Sequence, residues 1–170
     1  MASTLKVDTI QTAGGTTALT TDTSGRVFRS NIPHFIATIP SIAGVNYSSG
    51  FSKFPFVKTA HAGISASSDF DDSNNRYIAP VAGLYWFSWN VRFDAIAAAS
   101  YIQTEMRVNG TGIPKYRGLN GPPPDTYMTI GSHGIIQLNA TDYVEAWVTI
   151  SGDTSVNLDN DANFHGYLIG

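Results

Sequence analysis

The stretch YIAPVAGLYWFSWNVRF, residues 77–93, decides the fold. Tyr85, Phe87, Trp89, Val91 and Phe93 recur at every second position. A period of two puts all five on one face of a strand, because successive side chains of an extended chain point to opposite sides. The other face starts apolar as well, with Leu84 and Trp86. DYVEAWVTI (142–150) repeats the pattern, with Val144, Ala146, Val148 and Ile150 on one side and Tyr143 and Trp147 on the other. A sandwich strand needs one apolar face for its core. The surplus aromatics lie either under loops of the same chain or against sister subunits, and the reading taken here is sister subunits.

Outward from this stretch the same texture continues. HFIATI (34–39), FPFVKTA (54–60), TYMTIGSHGIIQL (126–138) and ANFHGYLI (162–169) are short runs bounded by Gly, Asn, Asp and Pro. YIQTEMRVNGTGIPKYR (101–117) reads as a hairpin, since Asn109-Gly110 suits a two-residue turn in which both central residues have positive φ. AIAAAS (95–100) is the only alanine-rich piece and is too short for a stable helix. The expectation is an all-β, two-sheet jelly-roll sandwich of about ten strands. Patterning alone does not separate it from an immunoglobulin-like sandwich.

Composition bounds the function. The chain has 170 residues, enough for one domain and an appendage, and 42% hydrophobic residues suffice for a core. Charged residues are 14% and the net charge is −3, so there is no basic footprint for nucleic acid or an anionic membrane. The absence of cysteine removes disulfides, thiolate nucleophiles and zinc–thiolate sites. The first residues, MASTLKVDTIQTAGG, have neither the basic start nor the apolar core of a signal peptide, and no apolar run is long enough to span a bilayer. A soluble chain without an obvious export signal is expected. Residues 8–25 are rich in Thr, Gly, Ser and Ala and cannot bury a core alone, so a seam falls near residue 30. The organisation expected is a short extended Thr/Gly-rich arm over 1–32 and a knob over 33–170.

Within the knob, SSDFDDSNNRYIAPVAGLYWFSWNV resembles the signature of the complement component 1q globular head, which shares its fold with tumour necrosis factor. Phe70, Asp71, Tyr77, Pro80, Gly83, Tyr85 and Phe87 match it in order. LNATDYVEAWV resembles the family's penultimate strand, and Phe164, Gly166 and Leu168 its closing Phe-x-Gly-x-Leu. Thr141 departs from the pattern, standing where a turn glycine is usual. The resemblance implies a ten-stranded jelly roll assembled as a threefold trimer, with Tyr85, Phe87, Trp89, Val91, Phe93, Trp147 and Phe164 in core and trimer packing. STLKVDTIQTAGGTTALTTDTSG is similar to short segments of bacteriophage tail-fibre and other virion appendage proteins. That similarity implies attachment to other virion proteins through the arm.

Residues that could carry chemistry are few. His34, His61, His133 and His165 are widely separated and show no metal-ligand spacing. There is no Gly-x-Ser-x-Gly elbow, phosphate loop or dinucleotide fingerprint. Acidic clusters DFDD (69–72) and LDNDAN (158–163) could supply oxygens to calcium, which the resemblance places near the trimer axis in some members. Asp159 and Asp161 are the better candidates, but Asp and Asn in loops usually make turns. No cofactor is therefore expected, with calcium alone held open. NGPPPD (120–125) should be a stiff exposed loop, and Tyr116, Pro122, Pro123, Pro124, Asp125 and Tyr127 are the candidate recognition loop. The sequons at Asn46, Asn109 and Asn139 matter only in a eukaryotic secretory pathway. The expected function is non-enzymatic: a homotrimeric phage head- or tail-fibre knob, displayed on the virion to attach to a host-surface glycan or protein, or to decorate the capsid. The alternative is a secreted, lectin-like module of the same fold family. A glycan depolymerase is a distant third.

Overall fold

A computed structural model describes residues 7–29, 32–39, 42–45, 50–60, 68–94, 101–120, 127–152, 156–158 and 161–170. The chain divides into two compact units, residues 1–32 and 33–170.

The first unit is not a single extended arm. It folds back twice into a three-stranded antiparallel meander of β1 (Thr9–Gln11), β2 (Thr17–Thr21) and β3 (Val27–Arg29). Two turns cause this. Gly15 N–H donates to Thr12 O at 2.9 Å, and Gly25 N–H to Asp22 O at 2.9 Å. Gly15 and Gly25 sit at φ +81° and +77°, a region that side-chain-bearing residues seldom occupy. The Asp22 carboxylate also accepts the backbone N–H groups of Ser24 and Arg26, each at 2.9 Å. No strand residue of the meander is buried, in keeping with its lack of a core of its own.

The second unit begins with β4 (His34–Thr38), β5 (Ile42–Val45), β6 (Ser52–Lys53) and β7 (Val57–Lys58). It continues with β8 (Phe70–Asp71), β9 (Arg76–Ile78), the long β10 (Gly83–Asp94), β11 (Tyr101–Val108) and β12 (Thr111–Gly112). A 3₁₀ turn (Pro114–Tyr116) precedes β13 (Gly118–Asn120), β14 (Tyr127–Leu138), β15 (Tyr143–Ser151), β16 (Val156–Leu158) and β17 (Asn163–Leu168). Two antiparallel sheets result. In the first, β10 pairs along its whole length with β14 on one side. On the other side it pairs with β17, then with β16, and the sheet continues through β4 to β7 and through β16 to β5. The second sheet is centred on β11 and β15, flanked by β12, β13, β9, β8 and β6. The architecture is an all-β sandwich of jelly-roll type, as expected.

The alternating row of β10 forms the middle of the core: Tyr85, Phe87, Trp89, Val91 and Phe93 are at most 1% exposed. Aromatic rings interlock in the core: Phe35 stacks on Tyr77 of the facing sheet at 4.5 Å and meets Phe164 of the adjacent strand edge-on at 4.7 Å. The segment read as a strand over 54–60 is strand only at Val57–Lys58. Pro55 has no N–H for a ladder, so Phe54 and Phe56 instead plug the core, Phe54 meeting Trp89 edge-on at 5.1 Å. The Asn109-Gly110 turn forms as expected, at φ +50° and +78°. Thr141 sits at φ +74°, a backbone conformation that glycine adopts more readily than a β-branched residue. It is held there because its N–H donates to Ala79 O at 2.7 Å and Asp142 Oδ2 accepts Asn139 N–H at 2.7 Å.

Candidate functional site

The surface most clearly shaped for contact is the outer face of the β14–β10–β17–β4 sheet. Since β10 points its odd residues inward, Leu84, Trp86, Ser88, Asn90 and Arg92 line this face in order. The register sets their neighbours. Trp86 lies between Ile135 and Tyr167, Ser88 between His133 and His165, and Asn90 between Gly131 and Asn163.

The face changes character along its length. At the proximal end, where β4 begins, it is apolar and open: Leu84, Ile135, Tyr167 and Ile169 are 43–52% exposed. Trp86 joins them, its ring 5.6 Å from that of Tyr167. At the distal end, four to six residues further along β10, the same face is polar and concave. A groove of about 830 Å³ opens there, lined in part by Ile36, Thr38, Asn90, Thr129, Asn163 and His165. Asn163 Nδ2 donates to Asn90 Oδ1 at 3.1 Å, and its Oδ1 lies 3.1 Å from His165 Nδ1. Burial pushes the pKa of His165 below the usual imidazole range, favouring the neutral ring. Arg92 closes the distal rim, paired with Asp161 at 2.9 Å and stacked 4.4 Å over the ring of Tyr127.

The outer face of the second sheet is closed differently. Glu105, 1% exposed, binds Arg107 and Arg117, and Glu145 binds Lys53 at 3.0 Å. Trp147 donates its indole N–H to Glu145 at 3.0 Å and carries Arg107 on its ring at 3.9 Å. Tyr143 carries Arg76 at 4.4 Å. The surplus aromatics of β15 thus find cations of their own chain, whereas Leu84 and Trp86 on β10 adjoin an open surface.

Of the other residues singled out in the sequence, Phe164 is fully buried in the core. Tyr116 packs against the core, its ring over Gly134 and its hydroxyl donated to Ile135 O. Tyr127 stands at the far end of the same strand, seven residues from Gly134 and about 23 Å away at the usual strand rise, so the two tyrosines do not share a site. Pro122, Pro123, Pro124, Asp125, Asp159 and His61 lie outside the described residues. Asp161 faces a guanidinium, and in the first acidic cluster Asp71 accepts Asn74 and Asp72 accepts Lys58 N–H at 2.7 Å. Among the described residues no three His, Cys, Asp or Glu are grouped to hold a metal, and no helix is long and apolar enough to cross a membrane. The Asn90–Asn163–His165 relay has no sequence motif, because all three are polar and Asn90 stands 73 and 75 residues before its two partners. Only the outward parity of β10 could have pointed to Asn90.

Comparison with models of known protein families found no match, and comparison with curated proteins found none either.

Proposed function

We propose that the chain is a non-enzymatic virion structural protein: the homotrimeric knob of a phage head or tail fibre, displayed for host attachment or capsid decoration. The observation that carries this reading is the open apolar patch of Leu84, Trp86, Ile135, Tyr167 and Ile169 on a sandwich whose core is already complete without it. An exposed tyrosine and a half-buried tryptophan beside exposed aliphatics, in a row set by strand register, have the composition of a subunit interface. The resemblance of the knob to the complement component 1q head supports three copies as the closed arrangement. The virion reading draws on the similarity of residues 3–25 to phage appendage segments. The exposed meander supports it too, because it lacks a core and draws stability from partners, either its sister copies or other virion proteins.

Two measurements test this. Light scattering at micromolar concentration should return three times the single-chain mass of 18.3 kDa. Protein lacking residues 2–30 should remain a trimer and fail to enter particles that lack the native copy, while the full chain enters. A monomeric mass refutes the trimer. Equal incorporation refutes attachment through the arm.

A further inference from the structure

We propose that the distal groove on the outer face of the β14–β10–β17–β4 sheet binds a neutral saccharide chain. The assignment deepens the display role above and rests on it.

The chemistry of the lining selects the ligand class. A sugar hydroxyl both donates and accepts, so its site must offer both functions in fixed positions. The Asn90–Asn163–His165 relay does so. With Asn163 donating to Asn90 Oδ1 and accepting from His165 Nδ1–H, Asn90 still presents its amide N–H groups and the imidazole its Nε2 lone pair. The Thr129 hydroxyl flanks them, Thr38 Oγ1, which donates to Ala162 O at 2.8 Å, adds an acceptor lone pair, and Ile36 supplies an apolar patch for the C–H face of a ring. Because the relay is already hydrogen-bonded, little side-chain freedom is lost on binding.

Other classes fit less well. Arg92 is balanced by Asp161 at 2.9 Å and no other lysine or arginine lines the groove among the described residues, so those residues carry no net charge to hold a phosphate or sulfate. One carboxylate already facing a guanidinium does not make a cation site. Most of the polar lining would be left unpaired under an apolar ligand, at a cost in affinity. A volume of about 830 Å³ is ample for several sugar rings and lies within the usual span of ligand sites. The groove is also displaced from the apolar patch: Trp86 and Arg92 are about 20 Å apart along β10 at the usual strand rise. Copies that meet at the proximal end leave three distal grooves, and weak single-site binding is then multiplied by avidity on a repetitive surface.

The test uses the full-length protein on immobilised neutral polysaccharides: mannan, galactan, dextran and O-polysaccharides of smooth lipopolysaccharides. The expected result is retention on at least one of them, competed by its soluble oligosaccharide. Retention should weaken at least tenfold in Asn163→Ala and in Thr129→Trp, which fills the groove from an exposed position, and stay unchanged in Lys115→Ala, which lies outside it. Circular dichroism and light scattering check that each variant keeps its fold and mass. Retention by none of these glycans overturns the proposal, as does retention that both groove variants leave within twofold. A protein that enters particles yet binds no glycan refutes the groove and leaves the display role standing. One that binds glycan through the groove yet never enters particles refutes the display role instead.

Discussion

Thr141 shows how a single residue can oppose its own backbone. A β-branched side chain at φ +74° is strained by contact with its neighbouring carbonyl groups, yet two backbone-anchored hydrogen bonds keep the turn in place. Thr141→Gly removes the strain and adds some freedom to the unfolded chain. The net expectation is a gain of about 0.5–1 kcal/mol, raising Tm by a few degrees. A lower Tm would show that the threonine side chain contributes more than it strains. His165 gives a second residue-scale expectation. Burial lowers its folded pKa, so the unfolded chain takes up this proton first as pH falls. Stability should therefore be level above the ordinary histidine range, about 6.5, and decline below it toward the folded value. The carboxylates of Asp22, Asp71 and Asp142, held low chiefly by hydrogen bonds from Arg26, Asn74 and Asn109 in turn, act in a separate window. Their contribution is present above about pH 3.9 and lost below it. His165→Gln should flatten the fall in Tm between pH 7 and 5, and an equal fall in both proteins would assign it elsewhere.

At the scale of elements, β10 and its partner β14 carry the knob. Trp89 is the largest of the fully buried side chains and meets both Phe54 and Phe56. Trp89→Ala should cost about 3–5 kcal/mol by leaving a cavity that the surrounding rings cannot close. The measurement is the urea midpoint at unchanged slope, and a cost below about 1 kcal/mol would mean that the core relaxes around the gap. On β14, the added Cβ of Gly134→Ala would fall 2.1 Å from Tyr116 Cε1. The ring must then lift, at about 1–3 kcal/mol, and the hydrogen bond of its hydroxyl to Ile135 is lost with it. Tyr116 is thus a plug for the second sheet's side of the sandwich, a role that a loop-centred reading of Tyr116 and Tyr127 does not foresee.

For the whole molecule, the expectation concerns association. Leu84→Asp combined with Tyr167→Asp places two carboxylates per chain at positions 43% and 46% exposed, where a folded monomer tolerates them. In a packed interface they are desolvated and unpaired, so the mass should fall toward 18.3 kDa while circular dichroism stays native. A trimer that survives both substitutions would place the interface elsewhere.

The sequence by itself determined the sandwich. A period of two is visible in any strand with one buried face, and in Tyr85 to Phe93 every inward position is a large apolar residue, so strand, face and core could be read together. The Asn109-Gly110 turn was legible for the same local reason, since few residue pairs tolerate positive φ twice. The turns of the meander carried comparable signals at Gly15 and Gly25, but composition outweighed them in the reading of an extended arm. Only the tertiary structure decided what the second faces do. Tyr143 and Trp147 resemble Leu84 and Trp86 in sequence, yet the first pair is covered by Arg76 and Arg107 and the second adjoins open aliphatics. Asn90 likewise meets Asn163 and His165, which already share one face of β17, only because β17 pairs with β10 in a register set by long-range packing. Local pattern fixes which way a side chain points. What it meets depends on which distant strand the fold lays beside it, and no local rule encodes that.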